Sequence, residues 1–219
     1  MTYYKPRSKP HLRLVYDSEK PKVETPKSEP KLRRPKNEDV RPREYLRPDE
    51  VEKLIAAAKS TGRNRLRDEL LLLLMYRHGL RLNEAITLRW SDIDFDQAFM
   101  HVRRLKRGND SNQPIYPDEL KLLRNHKRLA EHNLPWIFIS ERGSTMSEDA
   151  VQSIVQRAGK LAGFEFQIHP HMLRHSCGFY LASKGFDTRL IQDYLGHRNI
   201  NHTVRYTQLA PGRFNGLWD

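Results

Sequence analysis

The stretch from His169 to Thr207 concentrates side chains that bind phosphate or transfer protons. It holds five histidines, four arginines and three tyrosines, of which Tyr206 is the last. Transfer of a phosphodiester without a metal needs cations for the phosphoryl oxygens, an acid for the leaving oxygen and a nucleophile in line with the phosphorus. Guanidinium, imidazole and phenol groups can supply these functions. The stretch is therefore a candidate site for phosphoryl transfer.

A metal-dependent route to the same chemistry requires clustered carboxylates or a set such as HExxH. The acidic residues of this chain are instead scattered over predicted helix starts and turns. We expect neither a metal site nor a cofactor.

Histidine–arginine pairs at a spacing of three residues are a weak signal, because both residues are common in this chain. Four such pairs occur, at His78–Arg81, His101–Arg104, His171–Arg174 and His202–Arg205. The sequence around each pair distinguishes one from another. His171 and Arg174 share one face of a predicted helix, and His197 follows the glycine turn at Gly196. Nine residues later Tyr206 lies on a short polar segment.

A second group of residues precedes this stretch. Arg81 follows a buried helix that ends at Gly79, so a rigid element can position its guanidinium. Glu84, three residues later, is placed to orient that helix or Arg81 itself.

The segments YRHGLRLNEAITLRWSDID and HPHMLRHSCGFYLASKGFDTRLIQDYLGHRNINHTVRYT together resemble the catalytic domain of the tyrosine recombinase (phage integrase) family. Within that family the chain is most similar to the small invertases that switch fimbrial promoters, which share the RRLK, IFISERGS and RFNGLW segments. The resemblance covers residues 45–219. Its motifs occur in the family's order and spacing, which makes it more specific than any single pair.

The resemblance implies a role for each matching residue. The two phosphate-binding arginines are Arg81 and Arg174, the histidine partner is His171, the His/Trp position is His197, and the nucleophile is Tyr206. Lys106 matches the general acid of the hairpin, although Arg104 and Arg107 lie close by. Glu84 supports the first arginine, and His175 is the remaining histidine that best fits a supporting role.

The activity that the resemblance implies is site-specific recombination, in which DNA strands are cleaved and rejoined through a 3′-phosphotyrosyl intermediate. The partners would be double-stranded DNA and further copies of the chain, in a tetramer on DNA. Larger relatives have an N-terminal DNA-binding domain that closes around the duplex, whereas this chain is expected to have only a proline-rich arm. DNA-bending accessory proteins are therefore expected as further partners. The product could be an inversion, an integration or an excision. Two alternatives remain, namely relaxation of DNA by a type IB topoisomerase mechanism and a catalytically silent DNA-binding regulator.

The composition agrees with a DNA partner. The 219 residues carry a formal net charge of +12, with a pI of about 9.9, and such an excess attracts polyanions. An anionic membrane surface is the rarer partner of such a chain.

The single cysteine, Cys177, excludes an internal disulfide and is interpreted as a small buried residue. We find neither a signal peptide nor an apolar run long enough for a membrane span, which favours the cytoplasm.

Residues 1–44 and 45–219 differ in composition. The first segment holds seven of the thirteen prolines and thirteen basic against seven acidic residues, which predicts a disordered basic arm. It either stays solvated or contacts DNA phosphates. The second segment predicts a mainly α-helical catalytic domain with a small antiparallel sheet (α+β). Helical periodicity marks the segments near PDEVEKLIAAAKS, LRDELLLLLMYRHGL, RLNEAI, DELKLLRNHKRL and SEDAVQSIVQRAGKLAG, and three more helices in the stretch from His169.

Overall fold

The computed structural model describes residues 43–105, 108–130, 133–209 and 218. Within these ranges the chain forms helices and one small sheet. The helices are α1 Pro48–Ser60, α2 Arg65–Arg77, α3 Leu82–Ile86, a 3-10 turn Trp90–Asp92, α4 Pro117–Leu129, α5 Glu148–Leu161, α6 Pro170–Ser183, α7 Thr188–Leu195 and α8 Asn201–Leu209. The strands are β1 Ile93–Asp94, β2 Phe99–Val102 and β3 Ser111–Pro114. The predicted fold class, mainly α with a small antiparallel sheet, is confirmed.

Helix α2 is the central element of the core. Its apolar residues Leu70 to Met75 are buried on every side, so the helix needs neighbours all around it. It packs against α1, α4 and α6. Gly79 follows the end of the helix with a φ of +55°, and a Cβ there would lie 2.3 Å from Cδ2 of Leu195. Both the backbone angle and the close approach of α7 therefore require glycine.

The three strands pair in the order β1–β2–β3, all antiparallel. Met100 and Val102 of β2 are buried, and Phe99 and His101 are exposed. The turn before β2 is stabilised by Oδ1 of Asp94, which accepts hydrogen bonds from the backbone N–H groups of Asp96 and Gln97. The small antiparallel sheet agrees with the sequence prediction.

The last three helices form a second, smaller apolar cluster beside the main core. Its buried members are Cys177, Phe179, Ala182, Ile191, Leu195 and Tyr206. Helix α7 is capped at its start by Asp187, whose side chain accepts two backbone N–H bonds, and is followed by Gly196 with a φ of +65°. Tyr206 thus lies in α8, the third of the helices predicted after His169, but it is buried, whereas the sequence described its segment only as short and polar. Polarity misled the prediction because only one face of α8 is buried.

The predicted arm, residues 1–44, lies outside the described residues except for Arg43 and Glu44. Arg43 forms an ion pair with Glu50 of α1, and Glu44 lies 3.2 Å from Nε2 of His169. The tail after Leu209 also lies outside them, apart from Trp218. The division of the chain at residue 44 stays a prediction.

Candidate active site

Arg81 and Glu84 form a pair at the start of α3. The backbone N–H of Arg81 donates to Oε2 of Glu84 at 2.9 Å, and Nη1 of Arg81 donates to Oε1 at 2.6 Å. One carboxylate therefore caps the helix and orients the guanidinium three residues before it. The side chain of Glu84 is 1% exposed and that of Arg81 is 27% exposed. Glu84 therefore holds the guanidinium of Arg81 in place, and part of that side chain remains exposed to solvent.

Arg174 lies on α6 and is almost wholly buried. Its Nη1 donates to the carbonyl of Gly79 at 2.5 Å, and its Nη2 donates to the carbonyl of Leu195 at 2.7 Å. Desolvation, with repulsion from Arg81 and Arg104, lowers the pKa of Arg174 to about 9. The side chain thus joins the end of α2 to the end of α7, and its remaining N–H groups are those that a phosphate would use.

A third arginine, Arg104, completes this cluster. Its side chain is 0% exposed, and Nη1 donates to Oε2 of Glu84 at 2.7 Å. Burial alone would raise the pKa of Glu84, but the charge of Arg104 and the hydrogen bonds from Arg81 outweigh it, so the pKa lies below its ordinary value. Three guanidiniums against one carboxylate leave this cluster with an excess of positive charge, which favours a bound phosphate.

Two histidines of α6 lie beside the arginines. The ring centroids of His171 and His175 are 4.5 Å apart. Desolvation and the positive field of Arg174 lower the pKa of His171 to about 4, although the residue keeps contact with solvent. Desolvation, then the neighbouring His171 and Arg174, lower the pKa of His175 to about 3. Both rings are therefore neutral at pH 7.

Tyr206 is 3% exposed and lies on the face of α8 that packs against α6. Its hydroxyl is 2.9 Å from Nδ1 of His175. Burial raises the pKa of Tyr206 to about 12, although the charge of Arg174 acts in the opposite direction. The phenol ring rests on Gly178, where a Cβ would lie 2.6 Å from Cε2 of the ring. Only glycine allows the ring to approach the helix so closely.

His197 follows the αL residue that ends α7. Its Nδ1 lies 2.9 Å from Oγ1 of Thr203, and its ring is nearly parallel to that of Tyr206, at a centroid distance of 6.2 Å. Desolvation, followed by repulsion from Arg174, lowers the pKa of His197 to about 3. The structure thus brings His197 and Tyr206 together, with Thr203 orienting the imidazole.

Lys106, which the sequence predicts as the general acid, lies outside the described residues, as does Arg107. Its hairpin can be followed on both sides, to Leu105 and from Gly108. Gly108 packs against Arg104, so the hairpin reaches the arginine cluster at this point.

Sequence reasoning missed two contributors and underrated a third. Arg104 continues the alternation of β2, since Met100 and Val102 are buried, and that period could have placed its side chain inward. Gly178 has no local signal, because its role depends on a tyrosine of another helix. His175 was assigned a supporting role, whereas it is the histidine whose ring nitrogen reaches the Tyr206 hydroxyl.

In the part of the chain that the structure describes, no group of three or more His, Cys, Asp or Glu side chains could hold a metal. Nor does any described helix have the length and apolar character needed to cross a membrane. The described residues thus bring guanidinium groups, neutral imidazoles and the phenol of Tyr206 close together.

Comparison with known proteins agrees with this chemistry. Residues 44–213 match the model of the phage integrase family. The type 1 fimbriae regulatory protein FimB of Escherichia coli K12 is 44% identical over 185 residues, which are 83% of this chain and 92% of that protein.

Solved structures show the same fold. The crystal structure of the XerA recombinase has a TM-score of 0.69 and 27% identity, and covers 80% of this chain and 63% of that one. A lambda integrase dimer bound to a COC′ core site has a TM-score of 0.59 and 25% identity, and covers 72% of this chain and 59% of that one.

Proposed function

This chain belongs to the phage integrase family, and from that membership we propose that Tyr206 is the nucleophile of its strand cleavage. The protein is a site-specific tyrosine recombinase, an enzyme that cleaves and rejoins DNA through a phosphotyrosine link. One observation supports the assignment most strongly: the Tyr206 hydroxyl is hydrogen-bonded to a neutral histidine. It also lies within the field of Arg174.

In the proposed step the phenolic oxygen of Tyr206 attacks the scissile phosphorus. A bond forms between that oxygen and phosphorus, the bond from phosphorus to the 5′-oxygen breaks, and the phenol proton passes to Nδ1 of His175. Lys106 protonates the leaving 5′-oxygen. The nucleophile needs this assistance because burial raises its pKa to about 12, far above neutral pH.

Arg81 and Arg174 bind the non-bridging oxygens, on which negative charge accumulates in the transition state. Glu84 holds Arg81 at 2.6 Å and thereby keeps its guanidinium aimed at one place. His171 and His197 donate further hydrogen bonds to the phosphoryl group. The charge of the bound phosphate offsets the arginine field, so the pKa of each imidazole rises when DNA binds.

The intermediate retains a phosphodiester bond, so no nucleotide is needed as a source of energy. A 5′-hydroxyl of a second strand then attacks the phosphotyrosine and gives its proton to Lys106. The bond from phosphorus to the phenolic oxygen breaks, and that oxygen regains its proton from His175. Because Tyr206 is only 3% exposed in the free protein, its ring or helix α8 must move before the phosphate can reach the oxygen in line.

Lysine substitutions at the two arginines test the phosphate clamp. Arg174→Lys and Arg81→Lys keep the charge but lose the planar fork, so each variant should bind DNA and form little covalent adduct. The substrate is a nicked duplex taken from the short inverted repeats that we expect to flank this gene. Adducts at wild-type level in both variants would contradict the clamp.

Relaxation of a plasmid without any strand exchange would indicate a type IB topoisomerase instead. Binding of DNA without an adduct in the wild type would indicate a silent regulator.

Strand exchange joins two duplexes, so we propose that several copies of the chain act together as a tetramer on DNA.

The segment after Tyr206 contains Phe214, Leu217 and Trp218, and Trp218 is 98% exposed. We propose that this tail docks on a neighbouring protomer, and that DNA-bending proteins assist assembly in the cytoplasm. Removal of residues 212–219 should impair assembly and recombination more than binding by one protomer. Normal recombination by the truncated protein would contradict the docking of the tail.

A further inference from the structure

We propose that Arg104 is a positioning residue of the recombinase, which ties the segments of Arg81, Lys106 and His197 to one another. The inference rests on the proposed roles of those three residues. It does not give Arg104 any contact with DNA, because its side chain is 0% exposed.

The contacts of Arg104 run to the backbone on both sides of the site. Its Nη2 donates to the carbonyl of His78 at 3.2 Å and to the carbonyl of Tyr194 at 2.5 Å. The first carbonyl lies at the end of α2, three residues before Arg81. The second lies at the end of α7, three residues before His197. One guanidinium therefore sets the separation of these two chain segments.

The hairpin that carries Lys106 is attached to the same side chain. The backbone N–H of Arg104 donates to Oδ1 of Asp110 at 2.7 Å, which joins the two described sides of the hairpin. A Cβ on Gly108 would lie 2.7 Å from Cβ of Arg104 and 2.9 Å from the carbonyl oxygen of Gly196. The hairpin and the end of α7 thus meet on the side chain of Arg104.

Arg104 is poorly suited to a purely stabilising role. Desolvation lowers its pKa despite the charge of Glu84, and its Nε has no hydrogen-bond partner among the described residues. A buried ion pair with an unsatisfied donor adds little net stability. What it does provide is a rigid, planar set of donors that a lysine or an aliphatic side chain cannot reproduce.

Arg67 provides a matched control for the test of this role. It also donates to a backbone carbonyl, that of Ile139 at 2.9 Å, and to a buried carboxylate, that of Asp68 at 2.8 Å. It has no contact with the arginine cluster among the described residues. Arg104→Met and Arg67→Met therefore each remove a guanidinium with the same kinds of partner, although the side chain of Arg67 is 14% exposed and that of Arg104 is 0% exposed.

Two readouts at a temperature well below both melting transitions decide the proposal. The first is single-turnover formation of the phosphotyrosyl adduct at saturating DNA, which Arg104→Met should slow about 100-fold, because small misplacements of reacting groups have effects of that size. The second is amide hydrogen exchange in residues 108–110 and 196–198, which should accelerate. Arg67→Met should change neither, although it also lowers the melting temperature.

If Arg104→Met does not fold, Gly108→Ala displaces the same side chain and leaves the arginine and the core intact. It should slow cleavage and accelerate exchange in residues 196–198. Cleavage and exchange equal to those of Arg67→Met would overturn the proposal. Absence of any adduct in the wild type would refute the proposed function instead, and the exchange comparison would still decide whether Arg104 ties the segments.

Discussion

Nδ1 of His175 lies 2.9 Å from the hydroxyl oxygen of Tyr206. The two residues belong to α6 and α8, which pack against each other. Helix α6 also carries Arg174, so one helix holds this arginine and the proposed proton acceptor, and the proposed nucleophile lies on the neighbouring helix α8. The position of the phenol therefore depends on how α8 packs, and substitutions in that interface should change chemistry and stability together.

The hydrogen bond between His175 and Tyr206 should be visible as a coupling free energy. We expect His175→Leu and Tyr206→Phe each to destabilise the protein, because each leaves one buried polar atom without its partner. The double variant should lose about 1 kcal/mol less than the sum. Urea unfolding of the four proteins measures this coupling. A sum that is additive within error would mean that the two side chains do not interact in solution.

Gly178 offers a test in which the sign of the effect reverses. Gly178→Ala should destabilise the wild type by about 1–3 kcal/mol and slow cleavage, because the new methyl group overlaps the Tyr206 ring. In a Tyr206→Ala background the ring is absent, and the same change should stabilise the protein by about 0.5–1 kcal/mol, since alanine is the better helix former. Thermal unfolding of both pairs is the measurement. A destabilising effect in both backgrounds would show that another neighbour excludes the methyl group.

Stability should decrease as the pH falls below neutral. The pKa values of His175 and His197 are about 3 in the folded protein, against an ordinary value of 6.5. Between pH 6.5 and pH 4 the unfolded chain binds protons that the folded chain does not, so acid favours unfolding. Each of these two histidines contributes a slope of up to about 1.4 kcal/mol per pH unit.

The substitution His175→Gln isolates one of these contributions. It should reduce the dependence of the unfolding free energy on pH by about one proton between pH 6 and pH 4. Urea unfolding at several pH values in this range gives the slope. A slope identical to that of the wild type would mean that His175 is protonated, or exposed, in the folded protein.

The predicted arm can be tested by its salt dependence. Residues 1–44 contain thirteen basic and seven acidic residues, and cations that contact DNA phosphates release counterions when they bind. Deletion of residues 2–42 leaves the contacts of Arg43 and Glu44 intact. The truncated protein should unfold as the wild type does, bind DNA more weakly and show a shallower slope of log affinity against log salt. An unchanged slope would exclude phosphate contacts by the arm.

Local patterns predicted most of the fold. The apolar run from Leu70 to Met75 indicated a buried helix, and the helical periodicity of SEDAVQSIVQRAGKLAG predicted α5, which Ser147 caps. These features depend on residues near each other in sequence, so periodicity, caps and turns are sufficient to find them. The burial of Tyr206 was not found, because α8 is amphipathic and its polar face dominates a short segment.

The site was predictable only as far as its motifs extend. Arg81, Arg174, His197 and Tyr206 were named from spacing and resemblance, and the structure places them around one cluster. Contacts between distant segments, such as those of Arg104 with Tyr194, could not be predicted from the sequence. They depend on how the helices and the hairpin pack against each other. A side chain that acts through backbone carbonyls leaves no pattern in residue types.

The covalent attachment of DNA to Tyr206 is the most direct measurement of the central claim. Wild-type protein and Tyr206→Phe are incubated in EDTA with a nicked target duplex and separated on a denaturing gel, and DNA binding is measured in parallel. We expect both proteins to bind the duplex, and only the wild type to form a shifted protein–DNA band, because phenylalanine lacks the nucleophilic oxygen and the phosphate clamp is built from guanidinium groups. A shifted band that persists in Tyr206→Phe, or one that disappears from the wild type when metal is chelated, would contradict the mechanism.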